Sequence, residues 1–341
     1  MRASRLLLAL SLVLTGCATG GYYAQAVEGH FALMAKARPV REVIDDAATT
    51  PALRARLLRA QSIRKFASHE LRLPDNGSYR SYAALGRKYA VWNVVAAPEF
   101  SVEAVQSCFP VAGCVTYRGF FAQDAAEAAA AARRAEGLDA QVTGVPAYST
   151  LGWFDDPLLS TFIAYQDAQL ARLMFHELAH QVVYVEDDST FNESFAVVVE
   201  EEGVRRWLAK SGSASEWSVF RETQARKHAF VDLIMNARAR LEALYRMRLE
   251  PQQMRARKRA EFSALQERYA ALRRRWGGFS GYDRYFESPN NALIASIATY
   301  TQSAPAFRRL LAASGNDLPA FYRRVAEIAR LEPEDRAAAL R

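Results

Sequence analysis

The stretch FHELAHQVVYVEDDSTFNESFA, residues 175–196, constrains the fold more than any other part of the chain. His176 and His180 stand four apart, with Glu177 directly after the first. On an α-helix four residues advance about 6 Å and return to within about 40° of the starting face. Both imidazoles can therefore meet one metal ion. The surrounding residues are apolar and helix-forming, so this helix is buried, and two unpartnered histidines inside it would cost free energy. Twelve residues separate His180 from Glu193. That carboxylate can join the pair only if the chain turns and comes back as a second helix facing the first.

Glu193 carries a competing reading. Thr190 to Glu193 spells Thr-x-x-Glu just before an apolar run. This is the capping-box pattern, in which the glutamate folds back onto the backbone N–H of the capping residue. We read Glu193 as the metal ligand and leave Thr190 to cap with its own hydroxyl. Two imidazoles and one carboxylate suit zinc and leave a fourth position for water, which is the open arrangement of a catalytic site. Glu177 is then placed to act as general base towards that water. Glu200, seven residues after Glu193, falls on the same helix face and is expected as an outer partner of a ligating histidine. The spacing thus predicts one Zn²⁺ ion held by His176, His180 and Glu193, a peptide as substrate, and hydrolysis as the chemistry.

The N-terminus reads MRASRLLLALSLVLTGC. Arg2 and Arg5 precede an apolar run from Leu6 to Leu14, too short to span a bilayer and typical of a secretory signal. LTGC, residues 14–17, resembles the bacterial lipobox. That resemblance implies a signal peptide over 1–16, lipidation of Cys17, a lipidated tether over 17–30 and membrane attachment through the lipid. It places the protein in the bacterial cell envelope, with Ala18 pointing to the periplasmic face of the outer membrane. The other two cysteines, Cys108 and Cys114, flank a short loop containing Pro110 and Gly113, and in an oxidising compartment we expect them to pair. The five-residue gap excludes a CxxC metal knuckle.

The rest of the chain reads as α+β: a mostly helical body with a small sheet. Helical spacing covers about 31–72 and strand patterns fall at 89–100, 115–121 and 139–152. An alanine-rich helix covers 122–137 and ends at Gly137. The histidine helix is expected over about 158–184 and the Glu193 helix from Thr190 to about 210. Long periodic segments at 216–249 and 252–276, separated by Pro251, predict an antiparallel hairpin inserted in a single domain over 31–341. Leu233, Leu241 and Leu244 would face Phe262, Leu265, Tyr269 and Leu272 across it. Closing helices follow over 291–314 and 317–330. The formal net charge is +7, and much of the excess falls between about 221 and 276. We assign it to solvated helix faces and expect no nucleic-acid partner.

HExxH followed by a helix carrying NESFA resembles the gluzincin metallopeptidases. The bacterial predicted-aminopeptidase lipoproteins are a closer likeness, carried by YYAQAVEGH, CFPVAGCVTYRGFF, VPAYSTLGWFDDPLL, FHELAHQVVYVEDDSTFNESFA and SPNNA. In gluzincins an edge strand before the HExxH helix pairs with the substrate by strand addition. VPAYSTLG, residues 145–152, occupies that slot, which implies substrate contacts from Tyr148, Ser149, Thr150 and Gly152. The resemblance also implies an oxyanion donor, for which Tyr300, Tyr282 and His228 are candidates. The aminopeptidase label needs an acid for the substrate's free amine, and Asp155, Asp156 and Glu99 are the candidates. Two alternatives stand beside this reading: a zinc endopeptidase or cell-wall peptide hydrolase using the same site, and a non-catalytic envelope lipoprotein whose hairpin binds a partner.

Overall fold

The structure, a computed structural model, describes residues 20–109 and 113–340. The expected signal segment 1–16 and the lipidation site Cys17 lie outside the described residues. The chain enters as a helix over 20–34, α1. It continues through β1 (Ala37–Pro39), α2 (Val40–Asp45), α3 (Pro51–His69), β2 (Ser81–Ala83), β3 (Val91–Ala97), β4 (Ser107–Phe109), β5 (Gly113–Val115), β6 (Arg118–Phe120), α4 (Gln123–Ala135), β7 (Asp139–Val145) and β8 (Leu158–Leu159). Helices α5 (Asp167–Ala179), α6 (Ser189–Ser211), α7 (Ala214–Tyr245), α8 (Pro251–Arg275), α9 (Asp283–Phe286), α10 (Asn291–Thr301), α11 (Ala304–Ala313), α12 (Leu318–Ala329) and α13 (Pro333–Ala339) complete it. The fold class is α+β.

β3 reads VWNVVAA and is buried along nearly its whole length. It is the central strand of the antiparallel sheet β6-β3-β7, with Val91 opposite Val145 and Trp92 opposite Phe120. α4 covers one face, where Ala126 and Ala130 meet Trp92, Val94 and Phe120. α10 covers the other, where Ala292 meets Val95 and Ala97. Small residues on both helices let them lie close to the strand.

The largest core joins α3, α5, α6, α11 and α12 around Phe175, Phe195, Phe307 and Phe321, each fully buried. α5 and α6 approach closely at Gly203, where an added Cβ would meet Phe175 at 2.6 Å and Leu71 at 2.8 Å. This contact presses the histidine face of α5 against the middle of α6. α7 and α8 form the expected antiparallel hairpin, with Leu241 packed in one core with Phe262, Leu265 and Tyr269, and Arg240 paired to Glu261 at 3.0 Å. Among the described residues, no helix is long and apolar enough to cross a membrane.

Several expectations need correcting. The tether expected over 17–30 is helical from residue 20. Tyr22 stacks on Phe109 at 5.2 Å and meets Phe120 edge-on at 5.6 Å. Gln25 donates to the Gly119 carbonyl at 3.3 Å and accepts from the Phe121 N–H at 3.2 Å. These contacts to β6 order a segment that its glycines made look loose. The histidine helix begins at Asp167, not near 158. Leu158 and Leu159 pair with β2 instead, and Asp167 is anchored to Arg56 at 2.6 Å and also to Arg59. The edge strand stops at Val145, so 146–152 is not strand. Thr150 turns its N–H to Asp156 Oδ2 at 2.9 Å, and Leu151 has φ +56°, which a strand cannot accommodate. The closing helix expected over 291–314 breaks at 302–303, with Pro305 in the first turn of α11.

Candidate metal and peptide site

α5 presents His176 and, at its C-terminal cap, His180 on one face. His180 keeps right-handed helical angles, so the four-residue spacing holds. The return loop is held by Asn192, whose side chain accepts from the Val185 N–H at 2.7 Å and donates to the Val185 carbonyl at 2.7 Å. Asp187 takes φ +67° and accepts from the Cys114 N–H. Asp188 caps α6 by accepting from the Phe191 N–H at 2.9 Å and is paired to Arg336 at 2.8 Å. Thr190 is thus inside the helix and the Thr190–Glu193 capping box does not form. The cap is Asp188, and Glu193 is released to face α5.

Glu193 Oε2 lies 3.1 Å from His176 Nε2 and 3.7 Å from His180 Nε2. The two Nε2 atoms are 3.3 Å apart. Ligands at about 2.0–2.1 Å around a tetrahedral ion are separated by about 3.3–3.4 Å, so the three atoms fit the edges of such a polyhedron. The donor set and the burial also fit one divalent ion. Glu193 and His180 are buried, and His176 is nearly so.

Glu200 is 1% exposed. Its Oε2 accepts from His176 Nδ1 at 3.0 Å, which leaves Nε2 to face the centre. Arg172, one turn before His176 on α5, reaches Glu200 at 3.1 Å, and Lys227 from the hairpin reaches it at 3.0 Å. Burial pushes the Glu200 carboxyl up, but Lys227, Arg172 and His176 outweigh it and hold it well below the usual range. Burial likewise raises Glu193, and the two histidines bring it down to about 2. For His176 burial acts downward, while hydrogen bonds to Glu193 and Glu200 raise it to about 10.

His176, His180 and Glu193 line a cavity of about 540 Å³. Glu177 lines it and has no ion pair among the described residues. Tyr300 lines it too, its ring stacked on His176 at 6.4 Å. Glu193's charge and burial hold the Tyr300 hydroxyl well above its usual pKa, so it remains a donor. Of the other oxyanion candidates, Tyr282 stacks on Phe230 at 4.3 Å in the hairpin core, and neither it nor the exposed His228 lines the cavity.

Tyr148 and Ser149 line the cavity, whereas Thr150 and Gly152 do not. Thr150 is spent on Asp156 and Phe154, and Gly152 backs onto Gln181. None of the three proposed amine-binding acids lines the cavity. Glu99 is paired to Arg255 at 2.6 Å, Asp155 is exposed and packs beside Gly77, and Asp156 is buried behind Thr150. Cys108 and Cys114 are joined by a disulfide that closes the β4–β5 hairpin, and Phe109 and Val115 of that hairpin line the cavity.

Sequence reasoning missed Tyr22, Tyr23 and Tyr117 as cavity residues, and Arg172 and Lys227 as partners of Glu200. Arg172 had a signal, its position four residues before His176. The others come from distant segments and carried none.

Nothing matches significantly among curated proteins or among solved structures. The family model described as "Putative aminopeptidase" matches residues 21–340, nearly the whole described chain, and the protein belongs to that family.

Proposed function

We propose that this protein is a zinc-dependent peptidase of the gluzincin type, with His176, His180 and Glu193 holding one Zn²⁺ and Glu177 as general base. One observation carries the reading. Two imidazole nitrogens and a carboxylate oxygen converge within 3.1–3.7 Å of one another on the lining of a cavity that Glu177 also lines. Membership of the family supports peptide hydrolysis as the chemistry.

Zinc bound there would polarise the scissile carbonyl and make water a competent nucleophile near neutral pH. Glu177 takes the proton from the attacking water and returns it to the leaving amine. Glu200 fixes the His176 tautomer, and Arg172 and Lys227 balance its charge so that it stays ionised. Tyr300 is placed to donate to the oxyanion that develops on the substrate. The apolar walls exclude bulk water and strengthen each of these electrostatic contacts. Lipid attachment at Cys17 and a place at the periplasmic face of the outer membrane belong to the same proposal, supported by the LTGC pattern.

The experiment pairs metal analysis of the purified protein with hydrolysis of a mixed peptide set, for wild type and Glu177→Gln. One zinc per chain is expected in both proteins, with the variant's kcat/KM lower by about 10²–10⁴-fold. Metal-free wild type that still cleaves, or a variant as active as wild type, removes the reading.

A further inference from the structure

We propose that the cavity selects its peptide by an uncharged, bulky apolar side chain beside the scissile bond, and not by the peptide's free α-ammonium group. This rests on the peptidase reading and names the substrate class for it.

The walls are aromatic. Tyr22 and Tyr23 come from α1, Phe109 from the disulfide-closed hairpin, Phe121 from the turn after β6, and Tyr148 from the loop after β7. They brace one another: Tyr22 stacks on Phe109 at 5.2 Å, and Phe121 meets Tyr148 at 5.1 Å. Val91, Val115 and Val145 fill the spaces between them. A cavity of about 540 Å³ is in the range that encloses a drug-sized ligand, so it holds a large side chain together with the backbone that carries it.

Charge is nearly absent from the lining. Apart from tyrosines, its titratable side chains among the described residues are His176, Glu177, His180 and Glu193, with no lysine or arginine. A substrate glutamate side chain entering here would lose its water and meet no lysine or arginine among the described lining residues, and a lysine would meet no carboxylate beyond Glu177 and Glu193. The same count bears on the amine. Glu193 is committed to the metal and Glu177 to proton transfer, so among the described lining residues no third carboxylate is left for a free N-terminus. Residues 1–19, 110–112 and 341 contain no aspartate or glutamate, so none can come from them. Asp187 is engaged by the Cys114 N–H and Asp156 by the Thr150 N–H.

The test uses peptides of one length with Phe, Leu, Ala, Lys or Glu at the cleavable position, each with a free and an N-acetylated terminus. Cleavage by the zinc-loaded protein and binding to Glu177→Gln are both measured. Phe and Leu peptides are expected to exceed Lys and Glu peptides by roughly tenfold or more in kcat/KM, with acetylation changing the values by less than about threefold. Phe109→Ala should lower the Phe-over-Ala preference roughly tenfold, and Phe109→Leu should restore most of it. That ratio is read within one preparation, so loss of folded protein cancels. Equal cleavage of Lys and Glu peptides, or a loss of more than about tenfold on acetylation, overturns the proposal. If nothing is cleaved but Glu177→Gln still binds Phe over Lys peptides, the side-chain selectivity stands and the peptidase reading falls.

Discussion

Glu200 Oε2 accepts a hydrogen bond from His176 Nδ1 at 3.0 Å, two helical turns along α6 from Glu193. One helix therefore supplies both a carboxylate facing the centre and the carboxylate that orients a histidine from behind. A seven-residue spacing on a straight helix brings both to the same side of α5.

Glu200→Gln is expected to retain the fold and weaken zinc binding by about 10–100-fold. The amide can still accept from Nδ1, but its charge no longer balances Arg172 and Lys227. Competition with a calibrated chelator reads this directly. An unchanged affinity means that the contact orients nothing the metal senses.

Glu193→Gln and Thr190→Ala separate the two readings of TFNE. Because Asp188 is the cap, Thr190→Ala should change stability by less than about 0.5 kcal/mol and leave metal content intact. Glu193→Gln should lose stoichiometric zinc. Asp188→Ala should cost about 1 kcal/mol through the lost cap, and more if Arg336 is left unpaired. Urea unfolding of the metal-free proteins measures these differences.

Metal uptake should depend on pH. In the metal-free protein the His176 pKa is raised to about 10, so zinc must displace a proton at neutral pH. Apparent affinity is expected to rise roughly tenfold per pH unit between about 7 and 9, with close to one proton released per ion. For the metal-free fold itself, the raised imidazole stabilises fully below about pH 6.5, and that contribution is lost as pH climbs through about 10. The depressed Glu193 stabilises above about pH 4.5, and its contribution is lost as pH falls through about 2. Calorimetry in buffers of different ionisation enthalpy counts the protons. A pH-independent affinity shows that His176 is already neutral.

Asp156 gives a second pH signature, the same in sign as that of His176 and opposite to that of Glu193. It is 1% exposed and its Oδ1 has no hydrogen-bond partner among the described residues. Burial pushes its carboxyl up from 3.8 to about 6, opposed by the Thr150 N–H and reinforced by the charge of Glu177. The native state therefore binds more protons than the unfolded state between those values, and stability falls as pH rises from about 4 to about 6. The loss should approach 3 kcal/mol at most. Asp156→Asn keeps an acceptor for Thr150 and should flatten that segment of the profile, measured as ΔG of unfolding against pH.

Much of the architecture was legible because its signals are local. Pro251 and the periodic apolar positions on either side predicted the hairpin, and β3's β-branched run predicted a buried strand. Boundaries failed where a tertiary contact decided them. Leu158 and Leu159 look helical in composition but serve as a short parallel strand beside β2, and 146–152 looks extended but turns because Asp156 captures the Thr150 N–H. α1 looks like a tether in sequence, since nothing in GGYYAQAVEGH announces that β6 and the disulfide hairpin will pack against it.

The sequence by itself determined that His176 and His180 share a helix face with Glu177 beside them, because a four-residue spacing and helix-forming neighbours are enough for that. Which way Glu193 points was open in the sequence: a ligand and a capping residue are written with the same four letters. The tertiary structure decided it through the Asp188 cap, the Asn192 clamp on Val185 and the close approach at Gly203. It also decided the cavity walls and the charge balance of Glu200, which bring Tyr22, Phe109, Tyr148 and Lys227 together from segments far apart in the chain. Local periodicity carries no information about such contacts, because each depends on where a different element is packed.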